Sequence, residues 1–335
     1  MLHRSYHAVL NSTDISNHTH ETPGASIEMP NEEGHSESFE TGMAVRTVEF
    51  IPADLAPGDG KALELDCRDL DVVRVHSIDG PLFAMAYERL WNEFGPQHEM
   101  ETREIVAQRL AWHPGAAIDN CWMRYELILV RRERQLVAVR DHTAVTTCGR
   151  GAPHAVVHLS HVLIEAAWRR TGLAGWLRAW PIQTARACLA EAGFPTASRI
   201  TLAAEMEHPD PDFPNRLVRL AAYEKAGFKK VDSKYFQPDF RPPHEIDSSG
   251  GPRPLPFGLV LRRVGREEEQ LICGAEVREI VECLYRMYGT GFREQDMAAV
   301  WQKLRDYPDD HSNTPLVAPT QSPTSGESGG FSARV

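Results

Sequence analysis

The fold can be inferred from the segment Glu165-Ala-Ala-Trp-Arg-Arg-Thr-Gly-Leu-Ala-Gly-Trp-Leu-Arg178. It lies between an apolar, β-branched run at 155–164 and a helical pattern at 172–192, so it predicts a strand, a short basic turn and the start of a helix. The first backbone N–H groups of a helix lack partners within it, and the helix dipole places positive potential in front of them. The turn is therefore a candidate phosphate or pyrophosphate site, and the alternative is an ordinary strand-to-helix connection containing Gly and Arg.

Composition predicts a globular cytoplasmic protein. The chain has 335 residues, is 42% hydrophobic, and carries 36 Lys and Arg against 47 Asp and Glu, for a formal net charge of −11. This charge opposes non-specific binding to nucleic acid or to an anionic membrane. The 6 cysteines form no C-x-x-C pair, which favours reduced thiols over a disulfide framework or a zinc site. No apolar run approaches roughly 18 residues, and no signal peptide is recognisable.

The chain divides into three predicted regions. Residues 1–57 are rich in polar residues and histidine, which predicts a disordered tail with an edge strand at 45–51. Residues 58–290 form the predicted catalytic domain with a C-terminal helical addition. Residues 291–335 are expected to be a helical end followed, from about residue 308, by a second disordered tail.

Hydrophobic periodicity within the central region predicts the order β-α-α-β-β-β-α-β-α-β-β and a last helix. The order indicates a single mixed α/β sheet. Pro181 lies inside the third predicted helix, where a missing backbone donor is expected to kink or divide it. The predicted strands are 71–78, 125–130, 136–140, 155–164, 199–207, 230–236 and 256–263, and the predicted helices are 81–94, 101–112, 172–192, 215–225 and 275–288.

Two motifs carry a family resemblance. Arg169-x-x-Gly172-x-Ala174 follows the fourth core strand, and Tyr223-Glu-Lys-Ala-Gly227-Phe228 follows the fifth. In this order and at this separation, residues 72–265 resemble the GCN5-related N-acetyltransferases. The resemblance implies an α/β (α+β) fold with a mixed, mainly antiparallel central sheet flanked by helices, and with splayed fourth and fifth strands.

The resemblance also implies acetyl-CoA, or another acyl-CoA, as the co-substrate, with no metal. The glycine turn would hold its pyrophosphate through backbone amides, and Gly172 would let the backbone approach the anion without a Cβ atom in the way. The cofactor-binding residues implied are Leu163, Ile164, Arg169, Arg170, Thr171, Gly172, Leu173, Ala174 and Gly175.

Acyl transfer to an amine needs a base, and ideally an acid for the departing thiolate. The resemblance assigns the acid to Tyr223, whose alternative role is to pack against Phe228. For the base, His158 and Glu205 both remain open, acting directly or through a water molecule. A hydrogen-bonded sheet histidine is the alternative for His158. Strand alternation places His161 on the opposite face from His158, which favours a structural role for His161.

Other polar residues are candidates for binding the acceptor. Glu207, near the end of the fifth core strand, and Asp141-His142, after a hairpin strand, would favour a cationic amine, whereas the alternative is a solvated strand end and a charged turn. A metal site at His154 and His158 is disfavoured, because four strand residues separate two side chains by roughly 13 Å.

The sequence thus predicts an N-acetyltransferase that transfers the acyl group directly to a small-molecule amine. The alternative from another class is a non-catalytic acyl-CoA-binding or interaction module with the same fold. A nucleotide-binding oxidoreductase is disfavoured, because the turn lacks G-x-G-x-x-G spacing and follows the fourth strand rather than the first. The sequence does not identify the acceptor or the acyl-chain length, and it leaves open whether the chain forms a homodimer.

Overall fold

The computed structural model of the protein describes residues 48–112, 115–147, 151–231, 235–307 and 310–321. Within these ranges the strands are β1 (Asp71–Val75), β2 (Ala116–Ile118), β3 (Cys121–Arg132), β4 (Gln135–Thr146), β5 (His154–His158), β6 (Val162–Ile164), β7 (Arg199–Met206), β8 (Lys229–Val231), β9 (Tyr235–Gln237), β10 (Leu255–Arg263), β11 (Leu271–Cys273) and β12 (Asn313–Val317). The helices are α1 (Pro81–Phe94), α2 (Arg103–Leu110), α3 (Leu173–Glu191), α4 (Pro214–Lys225), α5 (Pro243–Ser248), α6 (Gly274–Gly289) and α7 (Glu294–Lys303). None of the described helices is long and apolar enough to cross a membrane.

The described strands form a 12-stranded mixed sheet with the central order β1-β3-β4-β5-β7-β10-β8-β12-β11. Among the paired strands described, β5 and β7 run parallel, and the other pairs are antiparallel. Helix α3 supplies the crossover between β5 and β7, as a parallel pair requires. The predicted mixed, mainly antiparallel sheet flanked by helices is confirmed.

Apolar side chains cover the two faces of the sheet. On one face, α1, α2, α6 and α7 bury residues such as Phe83, Leu110, Leu284 and Val300. On the other face, α3 packs its apolar side over β4, β5 and β7. Helix α3 continues through Pro181, so the predicted division is not seen. Pro181 lies on the buried face of α3, where packing against the sheet offsets the lost backbone hydrogen bond.

The fourth and fifth core strands separate beyond His158. Register pairs join β5 to β7 as far as His158 and Ala203, and the Leu159 amide donates to the Ala203 carbonyl at 2.8 Å. The chain then turns away from β7, and β6 pairs with β4 through Arg140 and Val162. The predicted single strand at 155–164 is therefore two strands, and the break between them produces the predicted splay.

Other predicted boundaries differ from the structure. The sequence predicts a disordered tail from about residue 308, but this region contains strand β12. The pairing of β12 with β8 and β11 is a long-range contact, which local sequence does not reveal. Residues 48–57, assigned to the N-terminal tail, include a 3-10 turn at Pro52–Asp54, and a second 3-10 segment follows at Pro57–Glu64. No strand is present at 48–51, and the rest of the predicted edge strand lies outside the described residues. The region predicted as one strand at 230–236 contains β8 and β9.

The cysteines differ from the prediction in one respect. Cys67, Cys188, Cys273 and Cys283 are free thiols. Cys121 is disulfide-bonded, so the prediction that all the cysteines are reduced is wrong for this residue. Sequence spacing gave no indication of this bond, because disulfide formation depends on distances in the folded chain.

Candidate functional site

The separation of β6 from β7 opens a cavity of about 320 Å³. The strand ends supply polar side chains to its walls, and α4, α6 and β9 enclose it from the sides. The polar and aromatic residues that line it include His158, Ser160, His161, Arg178, Glu205, Glu207, Tyr223 and Tyr288. A cavity between diverging strands, with a few convergent polar groups, is the arrangement expected of a small-molecule site.

Glu205 on β7 is the principal acceptor of this cavity. Its Oε1 accepts a hydrogen bond from the Tyr235 hydroxyl, and its Oε2 accepts from Gln237 Nε2 at 2.8 Å and from the Tyr288 hydroxyl at 2.5 Å. Burial raises the pKa of Glu205, but hydrogen bonds from His158, Tyr235 and Tyr288 outweigh burial and hold the pKa below its ordinary value. Glu205 is thus a buried carboxylate whose oxygens are occupied by donors.

His158 on β5 lies between Glu205 and Ser160. Its Nε2 is 3.3 Å from Glu205 Oε2 and 3.1 Å from the Tyr288 hydroxyl oxygen, and its Nδ1 is 3.0 Å from Ser160 Oγ. The Tyr288 hydroxyl donates to Glu205, so both groups near Nε2 are acceptors toward the imidazole. This network assigns the proton of a neutral His158 to Nε2. Nδ1 then carries the lone pair and accepts from the Ser160 hydroxyl.

Tyr288 and Tyr235 complete this cluster as protonated groups. Burial is the main cause that raises the pKa of each phenol well above its ordinary value, and the negative charge of Glu205 is the second. The sequence did not point to Tyr288, Tyr235 or Gln237 as site residues. Tyr288 belongs to α6 and the other two to β9, and their positions at the cavity depend on how these distant elements pack. No local motif marks them.

His161 and Asp141 form a second buried cluster. Asp141 Oδ1 accepts from His161 Nδ1 at 3.0 Å and from the His161 amide at 2.8 Å, while His161 Nε2 donates to the Glu99 carbonyl at 2.9 Å. Burial lowers the pKa of His161, but the Asp141 charge and hydrogen bond raise it to about 9. Burial raises the pKa of Asp141, and the same pairing lowers it to about 2. His161 is therefore an imidazolium with both N–H groups engaged, which suits it to a structural role.

The predicted acceptor residues Asp141 and His142 do not line the cavity. Both lie within β4 rather than in a turn after it, and adjacent strand residues point to opposite faces. Asp141 faces His161, and His142 Nε2 lies 2.7 Å from Thr184 Oγ1 on α3. Burial, with the nearby charge of Arg140, lowers the pKa of His142 to about 3. His142 is consequently a neutral histidine of the packed interior.

Glu207 does line the cavity, and it is paired with cations. Its carboxylate contacts Arg216 Nε at 3.0 Å and also contacts Arg219. Glu99 lines the same wall, and burial together with the charge of Glu207 raises its pKa. Glu101, a third carboxylate of the lining, pairs with the buried Arg109 at 2.6 Å. This side of the cavity therefore carries several carboxylates, most of them with a protein counter-ion.

Tyr223 on α4 lines the cavity and also packs on Phe228, with ring centroids 4.8 Å apart in an edge-to-face arrangement. The two roles considered for it are thus compatible. The nearby Arg140 on β4 is 1% exposed, and its Nε and Nη1 have no hydrogen-bond partner among the described residues. Burial lowers the pKa of Arg140 to about 10, and the groups that oppose this shift are Tyr223 and Asp141.

The glycine turn is covered by a segment of the same chain. We call this segment, Pro57–Glu64, the strap. A Cβ atom on Gly172 would lie 2.5 Å from the Lys61 carbonyl oxygen, and one on Gly175 would lie 2.9 Å from Ala62 Cβ. Gly172 has φ of 102°, the left-handed region that glycine adopts readily. The close approach at Gly172, predicted for a pyrophosphate, is made here by the strap. These contacts with the strap leave no room for a side chain at Gly172 or Gly175.

The remaining predicted cofactor residues surround this turn. The Arg169 Nε donates to the Ile164 carbonyl at 3.2 Å, and the Thr171 hydroxyl donates to the Trp168 carbonyl at 2.8 Å. Leu163 pairs with Val139 of β4. The role of the whole set, which also includes Arg170, Leu173 and Ala174, remains a prediction. No group of three or more His, Cys, Asp or Glu side chains suited to a metal ion occurs in the described part of the chain.

No family model matches the chain, and no curated protein matches it. Among solved structures, it is similar to an aminoglycoside acetyltransferase from an uncultured soil metagenomic sample, determined in complex with trehalose. The two are 16% identical, the match covers 47% of this chain and 89% of that one, and the TM-score is 0.28.

Proposed function

We propose that this chain is an acyl-CoA-dependent N-acyltransferase, with acetyl-CoA as the expected donor and a small amine as the acceptor. The observation that carries the proposal is the position of His158, held between Glu205 and Ser160 on the wall of a cavity that opens where the chain turns away from β7. The turn and Tyr223 motifs described from the sequence support the same function.

His158 is the proposed base, and Glu205 is a positioning residue. The carboxylate of Glu205 is occupied by donors, whereas Nδ1 of His158 contacts the hydroxyl of Ser160, which also lines the cavity. An imidazole is suited to accepting a proton near neutral pH. The Glu205 carboxylate would stabilise the imidazolium that forms and hold its tautomer, as carboxylates do for other catalytic histidines.

The proposed reaction is a direct transfer. The amine nitrogen attacks the thioester carbonyl carbon, the C–N bond forms and the C–S bond breaks. The proton leaving nitrogen passes to His158 Nδ1, directly or through the Ser160 hydroxyl, and Tyr223 gives its phenolic proton to the thiolate. Cys188 and Cys283 are buried, and neither lines the cavity, so neither is placed to form an acyl-enzyme.

The acceptor is proposed to be cationic. Glu99, Glu101 and Glu207 supply carboxylates to one wall of the cavity, and the raised pKa of Glu99 reflects burial close to another negative charge. A protonated amine brought near Glu99 and Glu207 would relieve this repulsion. Diamines and polyamines are therefore preferred over anionic amino acids.

A second candidate is a non-catalytic interaction module with this fold. The observation that favours it is the strap, which covers the glycine turn. In such a module the cavity would serve only to bind a ligand.

The test measures thiol release from acetyl-CoA with a panel of diamines, polyamines and amino acids. His158→Gln is expected to lower kcat by about 100-fold or more, the usual contribution of a positioned base. His154→Gln is the matched control. His154 is buried on the same strand, its Nε2 lies 2.9 Å from Thr201 Oγ1, and it does not line the cavity. Equal rates in the two variants, or no turnover with any amine, would contradict the proposal.

A further inference from the structure

Glu99 differs from the other carboxylates that line the cavity. Each of the others has protein partners: Glu101 binds an arginine, Glu205 accepts from two tyrosines and a glutamine, and Glu207 binds two arginines. The Glu99 carboxylate has no ion pair or hydrogen bond with any residue in the described ranges. Burial, and next the negative charge of Glu207, raises the pKa of Glu99 above its ordinary value.

The cations of the cavity lining do not compensate Glu99. Arg178 and Arg219 each bind another carboxylate of the chain, and His161 binds Asp141 at 3.0 Å. Glu99 is half-buried, so a ligand can reach its side chain from the cavity. A partly desolvated carboxylate without a counter-ion favours the binding of a cation.

The backbone of Glu99 is fixed by hydrogen bonds in both directions. Its amide donates to the Phe94 carbonyl at 3.1 Å, and its carbonyl accepts from His161 Nε2 at 2.9 Å. His161 is itself held by Asp141 on β4. These contacts tie the turn between α1 and α2 to the sheet where the chain leaves β7. Glu99 is therefore presented to the cavity from a preorganised position, as a specific binding residue requires.

Aromatic rings line the cavity on the side of Glu99 and on the side of the proposed base. Phe94, whose carbonyl accepts from the Glu99 amide, is one of these rings. On the other side, Tyr288 lies edge-on to His158 with ring centroids 5.4 Å apart, and Phe240 lies edge-on to Tyr288 at 5.5 Å. Aromatic rings bury methylene groups, and their faces attract ammonium groups. The lining thus suits an alkyl chain that ends in a cation.

We propose that Glu99 is the specificity-determining residue of the acceptor site, and that it binds the distal ammonium group of a linear diamine whose reacting nitrogen lies at His158. The inference rests on the proposed function, because His158 defines where the reacting nitrogen lies. It goes further by assigning acceptor selectivity to one side chain. The methylene chain of the diamine lies against the aromatic rings, and Glu207 keeps its arginine partners when the diamine binds.

The first test compares putrescine, a linear four-carbon diamine, with butylamine in the thiol-release assay. The quantity measured is the ratio of their kcat/KM values. Glu99→Gln is expected to lower this ratio by about tenfold, because the neutral amide loses a charge-assisted contact with the distal ammonium group. Glu93→Gln is the matched control and is expected to keep the wild-type ratio. Glu93 lies on α1, its side chain is 51% exposed, and it does not line the cavity.

The second test keeps the carboxylate and moves it. Glu99→Asp withdraws the negative charge by one methylene group. In a series of linear diamines from three to eight carbons, this variant is expected to prefer a chain one methylene longer than the wild type prefers. A residue that only supported the fold would not change the preferred length. The same preferred length in both chains would overturn the proposal.

Calorimetric titration of the full chain with putrescine, without an acyl donor, separates this inference from the proposed function. The wild type and Glu93→Gln are expected to bind putrescine equally, and Glu99→Gln about tenfold more weakly. Turnover with the same selectivity ratio in the wild type and Glu99→Gln would refute the role of Glu99 alone. Weaker binding by Glu99→Gln, without turnover in any chain, would refute the enzyme alone.

Discussion

The Tyr288 hydroxyl lies 2.5 Å from Glu205 Oε2 and 3.1 Å from His158 Nε2. This contact joins helix α6 to β5 and β7, the two strands that diverge at the cavity. Helix α6 thus supplies a donor that fixes the proposed base and its carboxylate.

Tyr288→Phe should therefore affect both stability and turnover. Removing the hydroxyl leaves a buried carboxylate with one donor fewer, which should lower the free energy of unfolding by about 1–3 kcal/mol. It should also lower kcat more than it raises KM, since His158 and Glu205 lose their shared partner. Urea unfolding and steady-state kinetics measure the two effects.

Tyr285→Phe is the control for this prediction. Tyr285 lies one turn earlier on α6, and its hydroxyl donates to the Phe236 carbonyl at 2.8 Å, away from Glu205. Tyr285→Phe should therefore be less stable than the wild type but should have the same kcat. If both variants kept full turnover, Tyr288 would have no part in positioning His158.

The pair of Asp141 and His161 predicts a pH dependence of stability. The pKa of His161 is raised to about 9 in the folded chain from 6.5. Its stabilising contribution is thus complete below pH 6.5 and is lost as pH rises through 9. The pKa of Asp141 is lowered to about 2, so the contribution of that group is complete above about pH 4 and is lost toward pH 2.

His161→Asn makes this measurable. The difference in free energy of unfolding between wild type and variant should be largest near pH 5–6 and should shrink by roughly 3 kcal/mol toward pH 9. Urea unfolding across pH 5–9 gives this difference at each pH, and subtraction removes titrations common to both chains. A difference that stayed constant over this range would show that folding does not change the pKa of His161.

Gly172→Ala should destabilise the chain through the strap. The new Cβ atom would meet the Lys61 carbonyl oxygen at 2.5 Å, in addition to the cost of φ at 102° for a residue with a side chain. Gly193 has φ of 78° with no atom within 4 Å of its Cβ position, so Gly193→Ala carries the backbone cost alone.

The two glycine variants are compared by thermal unfolding and by hydrogen exchange at 57–64. Gly172→Ala should lose about 1 kcal/mol or more beyond Gly193→Ala. The additional loss should appear as faster exchange in the strap. Equal losses in the two variants would mean that the strap does not contact the turn in solution.

The buried arginines Arg140 and Arg109 should respond differently to substitution by Met. Arg140 has open donors, so Arg140→Met removes a desolvated charge and should leave stability unchanged or increase it. Arg109 is paired with Glu101 at 2.6 Å, and Arg109→Met leaves a buried carboxylate unpaired at a cost of about 3–5 kcal/mol. Chemical denaturation compares them. A severe destabilisation by Arg140→Met would show that this guanidinium has a structural partner.

Local sequence determined much of the framework. The apolar periodicity of residues 81–94 and the proline that begins it gave the bounds of α1, and the helix at 215–225 and the strand at 256–263 were placed to within one residue. These features depend on neighbours a few residues apart, since helix and strand periods fix which side chains share a face. His158, Glu205, Glu207 and Tyr223, chosen from the sequence, all line the cavity.

Tertiary structure decided the rest. Strict alternation put His158 and His161 on opposite faces, but the chain breaks from β7 at 159–161, and both histidines line the same cavity. Tyr288 reaches Glu205, and Asp59 reaches Arg178, across long stretches of chain. The glycine turn alone indicated an anion site, and only the fold brought the strap over it. Sequence periodicity fixes what each segment can bury, whereas the packing of the whole chain fixes which distant segments meet.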